Sequence, residues 1–169
     1  MENPKVAADF LGIEILHNPL LDSPGYMMDA EWNQGDFAPI MPDCYVCAYS
    51  NDGENIRFFR LSATYERESW ENVTLYYAAT VVTEHADGAN VGSSYSPSST
   101  QDPVLEIYCS PSGLEASIIY TRVCAQDMYE AYFAYNGVIY SLFAYPQFEN
   151  NLDTLNILKQ VLDAFEFEQ

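Results

Sequence analysis

Four cysteines, Cys44, Cys47, Cys109 and Cys124, and two histidines, His17 and His85, are the residues that could bring nucleophilic, redox or metal chemistry to this chain. Cys44-x-x-Cys47 has the spacing of a zinc or dithiol pair. Its context, CYVCAYS, reads as a strand, and side chains three apart on a strand leave from opposite faces, so the two thiols diverge. The dithiol motif also needs a helix N-terminus behind it to lower a thiol pKa, and no helical pattern follows. Cys109 and Cys124 lie on neighbouring segments and, in an exported protein, are the pair expected to form a disulfide across adjacent strands, with buried free thiols as the alternative. We expect no metal ligands and no cofactor.

The histidines stand far apart in sequence, each beside a loop, outside any Gly-x-Ser-x-Gly or His-Glu-x-x-His context, so surface positions are expected for both. With 25 Asp and Glu in the chain, some pair of carboxylates facing across a groove arises by chance and does not define a glycosidase. The acids around Asp87 and Asp102 lack the alternating spacing of a calcium loop. Glu66, Glu68 and Glu71 beside Arg67 read as a solvated connection. Arg57, Arg60 and Arg67 are expected to pair with nearby glutamates rather than to build an anion site. Glycine-rich phosphate loops are missing from the sequence. A catalytic role is therefore not expected.

The aromatic residues are the remaining functional signal. The chain holds 14 Tyr and 9 Phe, and Tyr129, Tyr132, Tyr135, Tyr140 and Tyr145 fall within one short stretch. Alternation along a hairpin sends some of these rings outward, where tyrosine suits a protein- or glycan-binding surface; the others pack beneath a helix or loop.

These residues must be positioned by a single domain. A chain of 169 residues has one domain's length and can bury ~70% of its unfolded surface. Nearly half of it is apolar, so the formal charge of −19 does not signal disorder. That charge repels phosphate backbones and anionic lipid head groups, which leaves another protein as the expected partner rather than nucleic acid or a membrane surface.

The strongest local pattern runs from Met128 to Phe167. MYEAYFAY and VIYSLFAYP flank Asn136-Gly137, the dipeptide best suited to a type I′ turn, so a β-hairpin is expected; it accounts for the uncharged run Ala131–Phe148 better than a membrane span does. Leu152, Leu155, Leu158, Leu162 and Phe165 then recur at helical steps, with Asn150 or Asn151 as N-cap and Asp153 in the first turn. Asn3-Pro4 opens a helix with Val6, Ala7, Phe10 and Leu11 on its apolar side, ending at Gly12. Extended pieces are expected around Gly25–Trp32. Strands are expected from Cys44, from Asn55 after Asn51-Asp52-Gly53, over Val73–Thr83, Val104–Cys109 and Ser117–Val123. The Ser- and Gly-rich interval from His85 to Pro103 reads as a loop. The expected fold is α+β, a mostly antiparallel meander sheet with an N-terminal helix and a C-terminal amphipathic helix packed on it.

The two ends carry a resemblance. YNGVIYSLFAYP followed by NNLDTLNILKQVLDAF, together with AADFLGIEIL near the start, resembles small domains found outside the membrane in Gram-positive bacteria, on lipoproteins and on membrane-anchored anti-sigma-factor-like proteins. The resemblance implies an extracytoplasmic, non-enzymatic sensory or interaction role and supplies no functional residues. A cell-surface location would require a leader or anchor outside these residues, since no basic segment followed by an apolar run opens the chain. The contrasting expectation is a cytoplasmic acidic inhibitor or immunity-type protein that caps a basic partner.

Overall fold

The computed structural model describes residues 4–22, 45–49, 54, 58–82, 104–147 and 151–167. The elements expected around Gly25–Trp32, at Asn51-Asp52-Gly53 and over 85–103 lie outside them, as do Cys44, His85, Arg57 and Asn150.

Among the described residues, seven strands form one antiparallel sheet: β1 (Tyr45–Tyr49), β2 (Phe58–Glu66), β3 (Val73–Val82), β4 (Val104–Cys109), β5 (Glu115–Val123), β6 (Gln126–Tyr135) and β7 (Val138–Pro146). Their order is β1-β2-β3-β7-β6-β5-β4. Two runs of sequential strands thus meet where β3 pairs with β7, in register Ala79↔Tyr140 and Tyr77↔Leu142. After β3 the chain re-enters at the far edge, so β4 is the last of the described strands and β7 lies in the interior of the sheet.

Turn chemistry sets the joins. Asn136 and Gly137 both take positive φ, 47° and 78°, and bring Tyr135 opposite Val138, as a two-residue I′ hairpin requires. Cys124 and Ala125 do the same between β5 and β6, at 50° and 67°, with no turn-forming residue type to announce it. Between β2 and β3, Trp70 closes a short 3-10 turn and is buried, with the Arg67 guanidinium 5.0 Å above its ring. Arg67 also donates to the Leu20 carbonyl. Trp70 and Arg67 thus pack inward from a connection whose Ser69, Glu71 and Asn72 remain exposed.

One face of the sheet holds the core. Leu61, Ala63 and Tyr65 of β2, Leu75, Tyr77 and Ala79 of β3, and Tyr140, Leu142 and Ala144 of β7 are buried there, with Ala131 and Phe133 of β6 and Ile118 of β5. Helix α2 (Thr154–Asp163) covers them with Thr154, Ile157, Leu158, Val161 and Leu162, and Phe165 follows just beyond its end. The expected stripe is thus displaced: Leu152 precedes the helix and is 88% exposed. The N-cap is Asp153, not Asn150 or Asn151; Asn151 instead accepts the Asp153 N–H on its side chain and the Thr154 hydroxyl on its carbonyl. Each fully buried aliphatic side chain on α2 contributes about 1.5–3 kcal/mol relative to exposure.

Helix α1 (Pro4–Leu11) turns Ala8 inward and leaves Val6 and Phe10 exposed, the latter at 77%. Those two side chains depart from the expected apolar side, because a helix this short at the domain edge buries only the narrow strip that meets the sheet. After Gly12 (φ 68°) the chain runs irregularly to His17, which makes an isolated antiparallel bridge with Glu166. A 3-10 turn at Pro19–Leu21 follows, its first N–H capped by Asn18 Oδ1 at 3.1 Å. Asn18 Nδ2 donates to the Val161 carbonyl at 2.9 Å, which fastens this segment to α2.

Candidate functional site

The sheet divides the five sequence-selected tyrosines between its faces. On β6 the odd-numbered residues face α2, and on β7 the even-numbered ones do, because Phe133 stands opposite Tyr140. Tyr129, Tyr135 and Tyr140 therefore lie on the core side, and Tyr132 and Tyr145 on the other. They do not form a single surface. Tyr129 is half-buried with its ring 5.5 Å from that of Tyr120. Tyr145 lies 5.2 Å from Phe143. Tyr140 is buried, stacked on Phe133 at 4.6 Å and 6° and edge-on to Phe165 at 5.8 Å. Its hydroxyl accepts the Leu16 N–H at 2.8 Å. Burial pushes its pKa up to about 12, with the nearby Glu14 charge adding to the rise and the Leu16 N–H opposing it. Tyr140 is an internal anchor, which corrects its assignment to an exposed binding face.

The disulfide expectation is also corrected. Cys109 and Cys124 are exposed free thiols. Cys109 is opposite Glu115 at one end of β5, and Cys124 lies in the turn that follows Val123 at the other end. At ~3.3 Å per strand residue they stand roughly 30 Å apart, far beyond the ~7 Å that a disulfide bridges. Cys47 lies in β1. Among the described residues, no three His, Cys, Asp or Glu side chains converge as a metal site would require.

His17 is not a free surface imidazole. Its Nδ1 is 2.6 Å from Glu166 Oε2 and its Nε2 is 2.6 Å from Asp22 Oδ2. Both carboxylates accept only if both ring nitrogens carry protons, so the geometry favours the imidazolium. Its pKa is raised, first by the Glu166 hydrogen bond and then by that of Asp22, against a smaller opposing effect of burial. With both nitrogens engaged, the ring is not available as a general base. It acts as a clasp between the segment after α1 and the C-terminal segment.

Beside this clasp opens a cavity of about 330 Å³. Leu16, His17, Tyr135, Tyr140, Glu166 and Phe167 are among the residues that line it. The Tyr135 and Phe167 rings meet edge to face at 5.1 Å and 77°. Sequence reasoning missed this arrangement because its parts are up to 149 residues apart, and nothing local marks them.

A second distinctive region is the β4 edge. Among the described strands β4 pairs with β5 alone, with a register shift between Val104 and Glu106. Glu106 and Tyr108 turn toward α2: Lys159 Nζ lies 2.5 Å from Glu106 Oε1, and Tyr108 donates to Asp163 Oδ1 at 2.7 Å. That hydrogen bond is the main cause of the rise of the Tyr108 pKa to about 12. On β4, Leu105 and Ile107 are exposed, at 49% and 55%.

Arg60 lies buried on the face away from α2, its Nε donating to Thr80 Oγ1 at 3.2 Å.

These features define an acidic α+β protein with one helix laid on a single antiparallel sheet. Comparison with family models, curated proteins and solved structures finds no match to this chain.

Proposed function

We propose that this chain is a non-enzymatic binding domain that takes another protein along the β4 edge of its sheet and works outside the cytoplasm of a bacterium. The observation that carries the reading is β4 itself, an edge strand among the described strands, with Leu105 and Ile107 exposed. A strand edge offers backbone donors and acceptors to an incoming extended segment, and alternate side chains add apolar contact. The charge of −19 favours a partner segment that is basic. Tyr132 and Tyr145 add aromatic side chains to the face away from α2, inward from that edge. The engaged nitrogens of His17 support a non-catalytic role. The extracytoplasmic location rests on the resemblance of both chain ends to surface domains.

The test is a titration of the labelled protein with a short peptide alternating valine and lysine, followed through backbone amide resonances. Shifts confined to Val104–Cys109 and lost in Ile107→Asp support the reading. Shifts centred elsewhere, or none at all, overturn it.

The exposed thiols of Cys109 and Cys124 favour a second reading, a cytoplasmic acidic inhibitor of a basic protein, because such thiols persist in a reducing compartment. Alkylation in intact cells before lysis separates the two. Rapid labelling by a membrane-impermeant reagent supports the surface location, and labelling only by a permeant reagent supports the inhibitor.

A further inference from the structure

The cavity beside the His17 clasp is independent of the β4 edge, and its lining specifies a chemistry. Lys5 lines it but is paired with Asp9 at 2.5 Å. His17 is held between Asp22 and Glu166. Glu14 also lines the cavity and is exposed, and no hydrogen bond or ion pair engages its carboxylate among the described residues. With His17 protonated, the lining and its direct partners carry two positive groups against four carboxylates, leaving a negative site. Two aromatic side chains in edge-to-face contact, Tyr135 and Phe167, also line it. Tyr140 also lines it, and its buried hydroxyl accepts from Leu16 and makes no other hydrogen bond among the described residues.

We infer that this cavity is a binding site for a small organic ammonium ion with an apolar body. Aromatic rings and an unpaired carboxylate are the groups that stabilise a partly desolvated ammonium, through the ring quadrupole and direct charge attraction. The volume, about 330 Å³, lies at the small end of the range for ligand cavities. An anion of the same size would meet the excess negative charge. A neutral molecule would lose the Glu14 attraction.

The test is calorimetric titration of the full chain at neutral pH and low salt with phenethylammonium, its neutral analogue phenethyl alcohol, and phenylacetate. Expected is saturable binding of the ammonium, with the alcohol about tenfold weaker or worse, phenylacetate not binding, and the affinity falling as salt is added. Glu14→Gln is expected to weaken the ammonium about fivefold and to leave the alcohol unchanged. Because no hydrogen bond or ion pair engages Glu14 among the described residues, the variant should keep the thermal midpoint of the parent. Amide shifts should centre on Leu16, Tyr135 and Asn136. Equal affinity for alcohol and ammonium, indifference to Glu14→Gln, or no saturation up to about 10 mM overturns the inference.

Discussion

Replacing Tyr140 by Phe removes one oxygen from the centre of the aromatic cluster and leaves every ring in place. The stack on Phe133 at 4.6 Å and the edge contact to Phe165 at 5.8 Å survive the change. What is lost is the acceptor of the Leu16 N–H, a 2.8 Å bond joining segments 124 residues apart. A net hydrogen bond between neutral groups is worth about 0.5–1.5 kcal/mol, and an N–H left without any partner costs about 1–3 kcal/mol. Leu16 borders the cavity, so water reaches the freed N–H, and the expected loss lies near 1–1.5 kcal/mol. At roughly 2–4 °C per kcal/mol for a chain of this size, the thermal midpoint should fall by about 2–6 °C. Tyr140→Ala removes the rings' contacts as well and should cost about 3–5 kcal/mol. Urea unfolding gives both values, and hydrogen exchange at the Leu16 amide localises the first. A Tyr140→Phe change within about 0.3 kcal/mol of the parent, with unaltered exchange at Leu16, would refute the anchoring argument. The alkaline limb supplies a second readout. The folded pKa of Tyr140, about 12, exceeds its ordinary value of 10.0. Its contribution to stability is complete below that ordinary value and disappears as pH rises through the folded one. Tyr140→Phe should therefore show a shallower alkaline decline.

The His17 clasp gives a pH prediction of defined sign. Its pKa is raised above 6.5 by Glu166 and Asp22, so its stabilisation is full below that value and declines as pH rises through the folded pKa. The difference in thermal midpoint between the parent and His17→Gln, followed from acid to mildly alkaline buffer, should shrink with rising pH; a constant difference would contradict the ion-pair reading. For the cysteines, native protein treated with a maleimide should label at both Cys109 and Cys124 without denaturant, since both are exposed, and mass mapping that shows either one blocked by the other would contradict the geometry.

The elements with local causes were legible. Asn136-Gly137 marks a hairpin because few residues accept positive φ at two successive positions, and the strands at Val73 and Val104 begin where β-branched and aromatic residues begin. The matching turn at Cys124-Ala125 was not legible, since the pairing of β5 with β6 imposes positive φ on residues that do not favour it. Helix α2 was expected from its period, yet its buried set shifted toward Ile157 and Val161. Periodicity establishes that a helix has an apolar side, and the surface it meets selects which residues occupy it.

By itself the sequence determined an acidic, tyrosine-rich α+β chain with a β-hairpin leading into a C-terminal helix, because charge, turn chemistry and hydrophobic period act over a few residues. Tertiary structure alone decided that β3 lies beside β7, that Tyr140 faces inward while Tyr132 does not, and that two paired-looking cysteines sit at opposite ends of β5. It also decided that His17 meets Glu166 across 149 residues and that a cavity opens beside them. Each of these depends on strand order and register, which are set by how distant segments share one core and leave no mark in the spacing of residues along the chain.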